Sequence, residues 1–348
     1  YGNPSSGHWA GRPARDAVEA ARGQVAALLG CSSDAVVFTS GGSEANNHAL
    51  KGVAFALRDK GDHIVTSTIE HPATLVPCEH LAKLGYTITH VPVDRFGQVD
   101  PDDVRRALTP RTILVSIMHA NNEVGTIEPI EEISRIAHER GVLLHTDAAQ
   151  SAGKIRTRVD ELGVDLLSIA GHKLYAPKGV GALYIRRGTP IEPLIHGAGH
   201  EAGRRAGTES ALMTAALGAA AELADDLTPM TRIRELRDDF WRQLKAALGD
   251  RVVLNGHPEQ RLPNTLNVSF VGRVGAEVLA GLDGVAASTG SACHSGLIEL
   301  SPVLRAMGTS PEAGMGAVRF SLGRGTTDHD ISAVVAGLAH SVGERSLP

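Results

Sequence analysis

The sequence predicts an α/β fold: a large domain around a mostly parallel sheet, followed by a smaller α+β domain at the C-terminal end. Three observations predict it. From about residue 35 to residue 185 short β-branched runs alternate with helical stretches, the rhythm of a parallel sheet with helices on both faces. After one long amphipathic helix the pattern changes to shorter strands, which marks a second domain. With 42% hydrophobic residues in 348, the chain can bury a large core, and 39 glycines beside only 3% aromatics suit tight strand-to-helix turns.

The strands are read in order as VVFT (36–39), HIVTST (63–68), TILVSIM (112–118), VLLHT (142–146), DLLSIA (165–170) and GALYI (181–185). Between them, EANNHALKGVAFAL (44–57) sets Ala45, Ala49 and Val53 on one helical stripe beside Leu50, Ala54 and Leu57. The stretch PIEEISRIAHERG (129–141) turns Ile130, Ile133 and Ile136 inward and stops at Gly141. A long helix spans Thr228 to Gly249, and TLNVSF (265–270) and AVRFSL (317–322) are strands of the second domain. The expected division is therefore a large domain over 1–228 and a small one over 229–348.

Several function classes are set aside by composition. A net charge of −5 offers nothing to nucleic acid, no apolar run approaches the ~20 residues that span a bilayer, and no signal-peptide pattern opens the chain. A cytoplasmic protein is expected. The three cysteines, Cys31, Cys78 and Cys293, are too few and too scattered for a disulfide framework or a zinc ribbon. His196 and His200 flank Gly197 and Gly199, which break the helical ligand spacing, so no metal site is expected there.

In open α/β sheets ligands bind at the carboxyl ends of strands, and polar residues stand just past each expected strand. Ser40-Gly41-Gly42-Ser43 follows the first and opens a helix, where glycines allow close backbone approach and free N–H groups attract a phosphate. His71 follows the second, Asn121 and Asn122 the third, Asp147 and Gln150 the fourth, His172 and Lys173 the fifth. Each has an ordinary use as turn or helix cap. Lys173 is harder to explain that way, because a lysine beside the apolar run SIAGHKLYAPKG loses hydration and gains little. Desolvation favours its neutral amine, the form that makes a Schiff base. A phosphate cradle, a carboxylate and a lysine at one sheet edge are the parts that pyridoxal 5'-phosphate needs, the carboxylate keeping the ring nitrogen protonated. Cys31 and Cys78 read as packing residues, whereas Cys293 lies in ASTGSACHSG, a small-residue loop beside His294 where a thiolate is plausible.

With these residues in hand the chain resembles the cysteine desulfurases of pyridoxal-phosphate fold type I, in the group with a long cysteine-bearing loop. The motifs are TSGGSEANN, IEHPA, NNEVGTIEPI, HTDAAQSAGK, GHKLYAPKGVGALY, RRAGTE, and SACHSG followed by VLRAMG. The likeness runs from residue 2 to residue 327. It implies a large domain with a seven-stranded type of sheet, and L-cysteine converted to L-alanine while the sulfur passes to an enzyme cysteine. Lys173 would hold the cofactor, His71 would stack on its ring, Asp147 would pair with the ring nitrogen, and Asn122 and Gln150 would bond the ring hydroxyl. The phosphate would rest on Gly42, Ser43, Ser168 and His172, with Thr208 arriving from the neighbouring subunit of a homodimer. Arg319, helped by Asn122, would grip the substrate carboxylate, a task suited to a guanidinium fork. Lys173, Cys293 and His71 would be catalytic, and a persulfide on Cys293 would await an acceptor protein, such as an iron–sulfur scaffold.

Three departures accompany the resemblance. Relatives usually open with an Asp-Asn-Ala-Thr-Thr type of run, and this sequence starts just after it. Ser43 stands where relatives often have Thr, which keeps the hydroxyl. Many relatives also continue past the point that matches Pro348. Selenocysteine lyases share these motifs, and the pair Cys293-His294 resembles theirs, so that activity is the alternative reading. A non-catalytic interaction protein on the same scaffold is a further one, opposed by the intact Lys173, Asp147 and Cys293.

Overall fold

A computed structural model describes residues 2–289, 291–294 and 297–343, with the backbone alone for 291–294, 297, 298 and 343. The chain divides into two compact units. The first comprises 1–92, 99–119 and 128–227; the second comprises 93–98, 120–127 and 228–348. The second unit thus takes in two short segments that the sequence reading leaves in the large domain. The reason is local pairing: Thr126 bridges to Arg261, and the turn around Gly97 packs against Met307.

The first unit is built on a seven-stranded sheet of β1 (Val36–Thr39), β2 (His63–Ser67), β3 (Thr87–Val91), β4 (Thr112–Ser116), β5 (Leu143–Asp147), β6 (Leu166–Ala170) and β7 (Gly181–Ile185), in the order β1-β7-β6-β5-β4-β2-β3. The pairs among β3, β2, β4, β5 and β6 are parallel, while β7 runs antiparallel to both β6 and β1. Two antiparallel steps bring β1 back to the direction of β6, so the chain leaves β1, β2, β4, β5 and β6 at one edge. β2, β4, β6 and β7 are buried along their whole length, as interior strands covered on both faces require, and so is the edge strand β1. β3 is the strand that the sequence reading lacks. It lies at the sheet edge with Thr87 and His90 exposed, so its sequence TITHV carries no apolar periodicity to find.

Helices pack on this sheet as their stripes dictate. In the helix Gly42–Ala56, Ala45, Ala49, Leu50, Val53 and Ala54 are fully buried against Val37, Ile64, Leu114, Leu166 and Leu183. Each large aliphatic in that cluster contributes roughly 1.5–3 kcal/mol by leaving water. Ile130, Ile133 and Ile136 of the helix Ile130–His138 are likewise buried, and Gly141 takes a left-handed φ of 68° where the chain turns into β5. The helix Arg12–Leu29 packs along the helix Ala211–Asp225.

The second unit holds a four-stranded antiparallel sheet of β8 (Val252–Asn255), β9 (Thr265–Phe270), β10 (Ser288–Thr289) and β13 (Ala317–Ser321), in the order β10-β13-β9-β8. Helices Thr228–Leu248 and Asp328–Gly343 pack together in this unit. Between β10 and β13 lies a hairpin of β11 (Ser291–His294) and β12 (Leu297–Leu300), which pairs Cys293 with Ile298. The sequence reads as loop there; the apolar pair Leu297-Ile298 supplies the β-prone partner for the small residues of 291–294. Among the described residues, no helix is long and apolar enough to cross a membrane.

Candidate active site

The common edge of the first sheet carries the Ser40–Ser43 turn, His71, Asp147, His172 and Lys173. After β1 the chain enters its turn with Gly41 at φ 149°, ψ −179°, a conformation open essentially to glycine alone. Gly181, paired with Thr39 and Ala170 in the sheet, has no side chain, and a Cβ there would meet Gly41 backbone at 2.8 Å. The turn therefore lies flat against the sheet end and starts the helix at Gly42, whose first N–H groups have no carbonyl within the helix to bond. Ser43 is exposed beside them.

Asp147 ends β5 and is 7% exposed. Its Oδ2 accepts from Asn46 Nδ2 at 2.7 Å and its Oδ1 from Ala149 N at 2.9 Å. Burial pushes this carboxyl above the usual range, against those two hydrogen bonds and the nearby His71. Among the described residues no lysine or arginine bridges to it, so a buried acid faces the sheet edge without a full cation. His71, exposed, follows β2 and caps the helix Pro72–Lys83: its Nδ1 accepts from Ala73 N at 3.0 Å, which leaves the proton on Nε2.

Lys173 sits half-buried in a 3-10 turn, Gly171–Leu174, directly after the fully buried β6, and His172 beside it is exposed. Burial, and then the charges of Lys173, Lys178 and Lys154, hold His172 below its ordinary value. Near Lys173 lies a second lysine that sequence reasoning passed over. Lys154 Nζ donates to the carbonyl of Gln150 at 2.8 Å, and burial together with the Lys173 charge lowers it to about 8. Glu70 was missed as well. Its Oε1 accepts from Ser67 Oγ at 2.6 Å and Met118 N at 3.0 Å, and burial pushes it up to about 8. Asn46, the partner of Asp147, stood in the TSGGSEANN motif but carried no signal of its own.

One expected residue is not brought to the phosphate turn. Ser168 is fully buried on β6 and its Oγ shares a 2.9 Å hydrogen bond with His145 Nε2, whose Nδ1 bonds Ser116 Oγ at 2.8 Å. Burial holds His145 at about 3, so this chain of hydrogen bonds is neutral and belongs to the sheet interior. The residue that faces Gly42 is Ala170, whose Cβ would stand 3.2 Å from a Cβ placed there. The Ser168 hydroxyl is thus engaged within the sheet. Thr208 is exposed and lines, with Ser40 and Arg205, a cavity of about 110 Å³.

The second unit holds Asn122, Arg319 and Cys293. Arg319, on β13, donates from Nη1 to the Asn122 carbonyl at 2.7 Å and from Nη2 to Ser288 Oγ at 3.0 Å. Its Nε is buried without a partner among the described residues, and burial, offset in part by Glu123, lowers the guanidinium from its ordinary value. The neighbouring Asn121 is a turn former, its Oδ1 accepting from Glu123 N and Val124 N. Cys293 lies on β11, described by its backbone alone. Burial, then nearby carboxylates, pushes the Cys31 thiol up to about 11 and the Cys78 thiol up to about 12, which disfavours their thiolates.

A planar cationic ring bearing a phosphate fits the first-unit residues. Asp147 lacks a cation that a protonated ring nitrogen would supply, and the Gly41-Gly42 turn is a cradle that a side chain at either glycine would disturb.

Comparison with known proteins agrees with this chemistry. The family model for aminotransferase class-V matches residues 1–334. A cysteine desulfurase IscS of Dictyoglomus turgidum (strain DSM 6724 / Z-1310) is 54% identical over 336 residues, covering 95% of this chain and 85% of its own. One of Methanosarcina thermophila is 47% identical over 339 residues, covering 96% and 83%. Among solved structures, a NifS-like protein superposes with a TM-score of 0.91 at 37% identity, over 98% of this chain and 91% of that one.

Proposed function

The chain belongs to the aminotransferase class-V family as a pyridoxal-phosphate-dependent cysteine desulfurase, and from that premise we propose which of its residues hold the cofactor and which move the sulfur. One observation carries the reading: a buried carboxylate with no full cation, Asp147, shares a sheet edge with a lysine, Lys173, and a glycine turn at a helix start. When bound, the cofactor supplies an electron sink at the substrate α-carbon. Asp147 holds the proton of the ring nitrogen, and Asn46 and Ala149 N hold Asp147 in place. His71, its ring fixed by the bond from Ala73 N, would hold the ring, with Asn122 and Gln150 as partners for the ring hydroxyl. Gly42, Ser43 and His172 hold the phosphate.

Lys173 is both the anchor and the base that takes the substrate α-proton. Arg319 binds the α-carboxylate of L-cysteine, for which its buried Nε–H is available. The Cys293 thiolate attacks the substrate sulfur; the carbon–sulfur bond breaks, alanine leaves after reprotonation, and the sulfur stays on Cys293 as a persulfide. An acceptor protein then takes it, for iron–sulfur cluster assembly or other sulfur delivery. The enzyme acts as a homodimer, each subunit lending Thr208 to its partner's phosphate. A persulfide-forming thiol needs a reducing compartment, which supports a cytoplasmic location.

Borohydride reduction of the yellow holoenzyme followed by peptide mapping tests the assignment. Label on Lys173 is expected, and label on another lysine overturns it. Cys293→Ser should keep the yellow colour and bind cysteine yet release almost no sulfide; a variant as fast as the parent removes Cys293 from the reaction.

A further inference from the structure

The loop that follows β7 is held by two ion pairs that the reaction itself does not use, one to the helix Arg12–Leu29 and one to the phosphate turn. Glu201 is 6% exposed and takes an uncommon φ of 52°, followed by Ala202 at 55° and Gly203 at 82°. Its carboxylate accepts from Arg22 Nη1 at 2.6 Å and Nη2 at 3.0 Å, and from Phe38 N on β1 at 3.1 Å. This over-determined contact holds Glu201 and Ala202 in a backbone conformation that non-glycine residues rarely adopt. Four residues later in the chain, Arg205 donates from Nε to Glu44 Oε1 at 2.8 Å and from Nη2 to Glu44 Oε2 at 3.2 Å.

Glu44 is the third residue of the helix that begins at Gly42, and its Oε2 also accepts from Ser40 N at 2.8 Å. It closes the Ser40-Gly41-Gly42-Ser43 turn and gives it its shape. In the absence of a phosphate a carboxylate suits a helix N-terminus. A phosphate dianion at the same first turn turns that carboxylate into a repelling neighbour. The side chain of Glu44 is only 9% exposed, so water screens it poorly. Burial pushes Glu44 upward, but the bonds from Arg205 and Ser40 overcome this and keep it ionised below the usual carboxylate range.

Resting on the reading that the cofactor phosphate lies at Gly42 and Ser43, we propose that Arg205 is a positioning residue for it. Arg205 neutralises Glu44 at the first turn of the helix and ties to that turn the loop that carries Thr208. The turn needs Glu44 for its shape; the phosphate needs Arg205 to make Glu44 tolerable.

The test is a titration of the apoenzyme with pyridoxal 5'-phosphate and, separately, with pyridoxal, followed by the absorbance of the protein-bound ring. The parent should prefer the phosphorylated form. Arg205→Gln should weaken pyridoxal 5'-phosphate on the order of ten-fold and leave pyridoxal unchanged, the effect of one uncompensated buried charge near a dianion. Adding Glu44→Gln to that variant should restore the affinity to within about three-fold of the parent, because the coupled pair is then neutral. Arg205→Lys, which keeps the charge and gives up the fork, should stay near the parent and serves if the Gln variant folds poorly. Equal weakening of both ligands, or no rescue by Glu44→Gln, means that Arg205 merely holds the loop and overturns the proposal. A parent that does not distinguish the two ligands overturns the phosphate placement itself.

Discussion

Replacing Asp147 by Asn removes a charge while keeping a shape. In the parent, Oδ1 accepts from Ala149 N and Oδ2 from Asn46 Nδ2, and Asn46 Oδ1 has no partner among the described residues. An Asn at position 147 keeps the first bond through its own oxygen. Turning over the Asn46 amide restores the second, with the hitherto unpaired Oδ1 accepting from the new NH₂ group. The apoenzyme should therefore keep its stability to within about 1 kcal/mol. The loaded enzyme loses the anion that keeps the ring nitrogen protonated. Removing one partner of a buried ion pair costs about 3–5 kcal/mol, and at ~1.4 kcal/mol per decade this corresponds to a loss of roughly two to three and a half orders in kcat/KM. Alanine formation from L-cysteine, beside the melting temperature of the apoenzyme, separates the two effects. A variant that retains more than about a third of the parental kcat/KM would refute the pairing of Asp147 with the ring, since that loss is under 1 kcal/mol. A large drop in apoenzyme stability would refute the amide exchange.

Glu70 has a folded value of about 8 against an ordinary 4.5, so the folded chain holds a proton that the unfolded chain has released between those pH values. Its contribution to stability is complete below about 4.5 and is lost as pH rises through about 8. Glu70→Gln should melt like the parent apoenzyme at pH near 5 and progressively above it toward pH 8, and a melting difference that does not change with pH would sink this account. Gly41→Ala forces a side chain into φ 149°, at a cost of about 1–3 kcal/mol in apoenzyme stability or cofactor affinity. Gly199→Ala, in open space, is its silent control, and equal effects of the two would refute the strain argument. Arg319→Ala should raise KM for cysteine by roughly 30- to 150-fold, the equivalent of about 2–3 kcal/mol for a charge-assisted bond, with a smaller effect on kcat. Steady-state kinetics at saturating and limiting cysteine decide it, and an unchanged KM removes Arg319 from substrate binding.

What the sequence by itself determined was the rhythm of the fold and the chemistry at its edge. VVFT, GALYI and TLNVSF begin and end where β1, β7 and β9 do, because fully buried strands must be written in β-branched and apolar residues between turn formers. Asp147 and Lys173 stood out in the sequence for a related reason: an acid at the end of a buried strand and a lysine beside an apolar one lose hydration and gain little from packing. Tertiary structure alone decided the partners. The edge strand Thr87–Val91 is half exposed and carries no periodicity, so its pairing with β2 supplies what its sequence does not. Asn46 meets Asp147, Arg205 meets Glu44 and Arg22 meets Glu201 across 101, 161 and 179 residues of chain, and such contacts depend on the crossing of elements rather than on spacing. Ser168 shows the same limit from the other side. Its type and its place beside Lys173 suited a phosphate ligand, yet its hydroxyl is taken by His145 on the neighbouring strand and Ala170 faces Gly42 instead. A strand's sequence specifies which residues alternate; only the strands and turns beside it decide what each side chain meets.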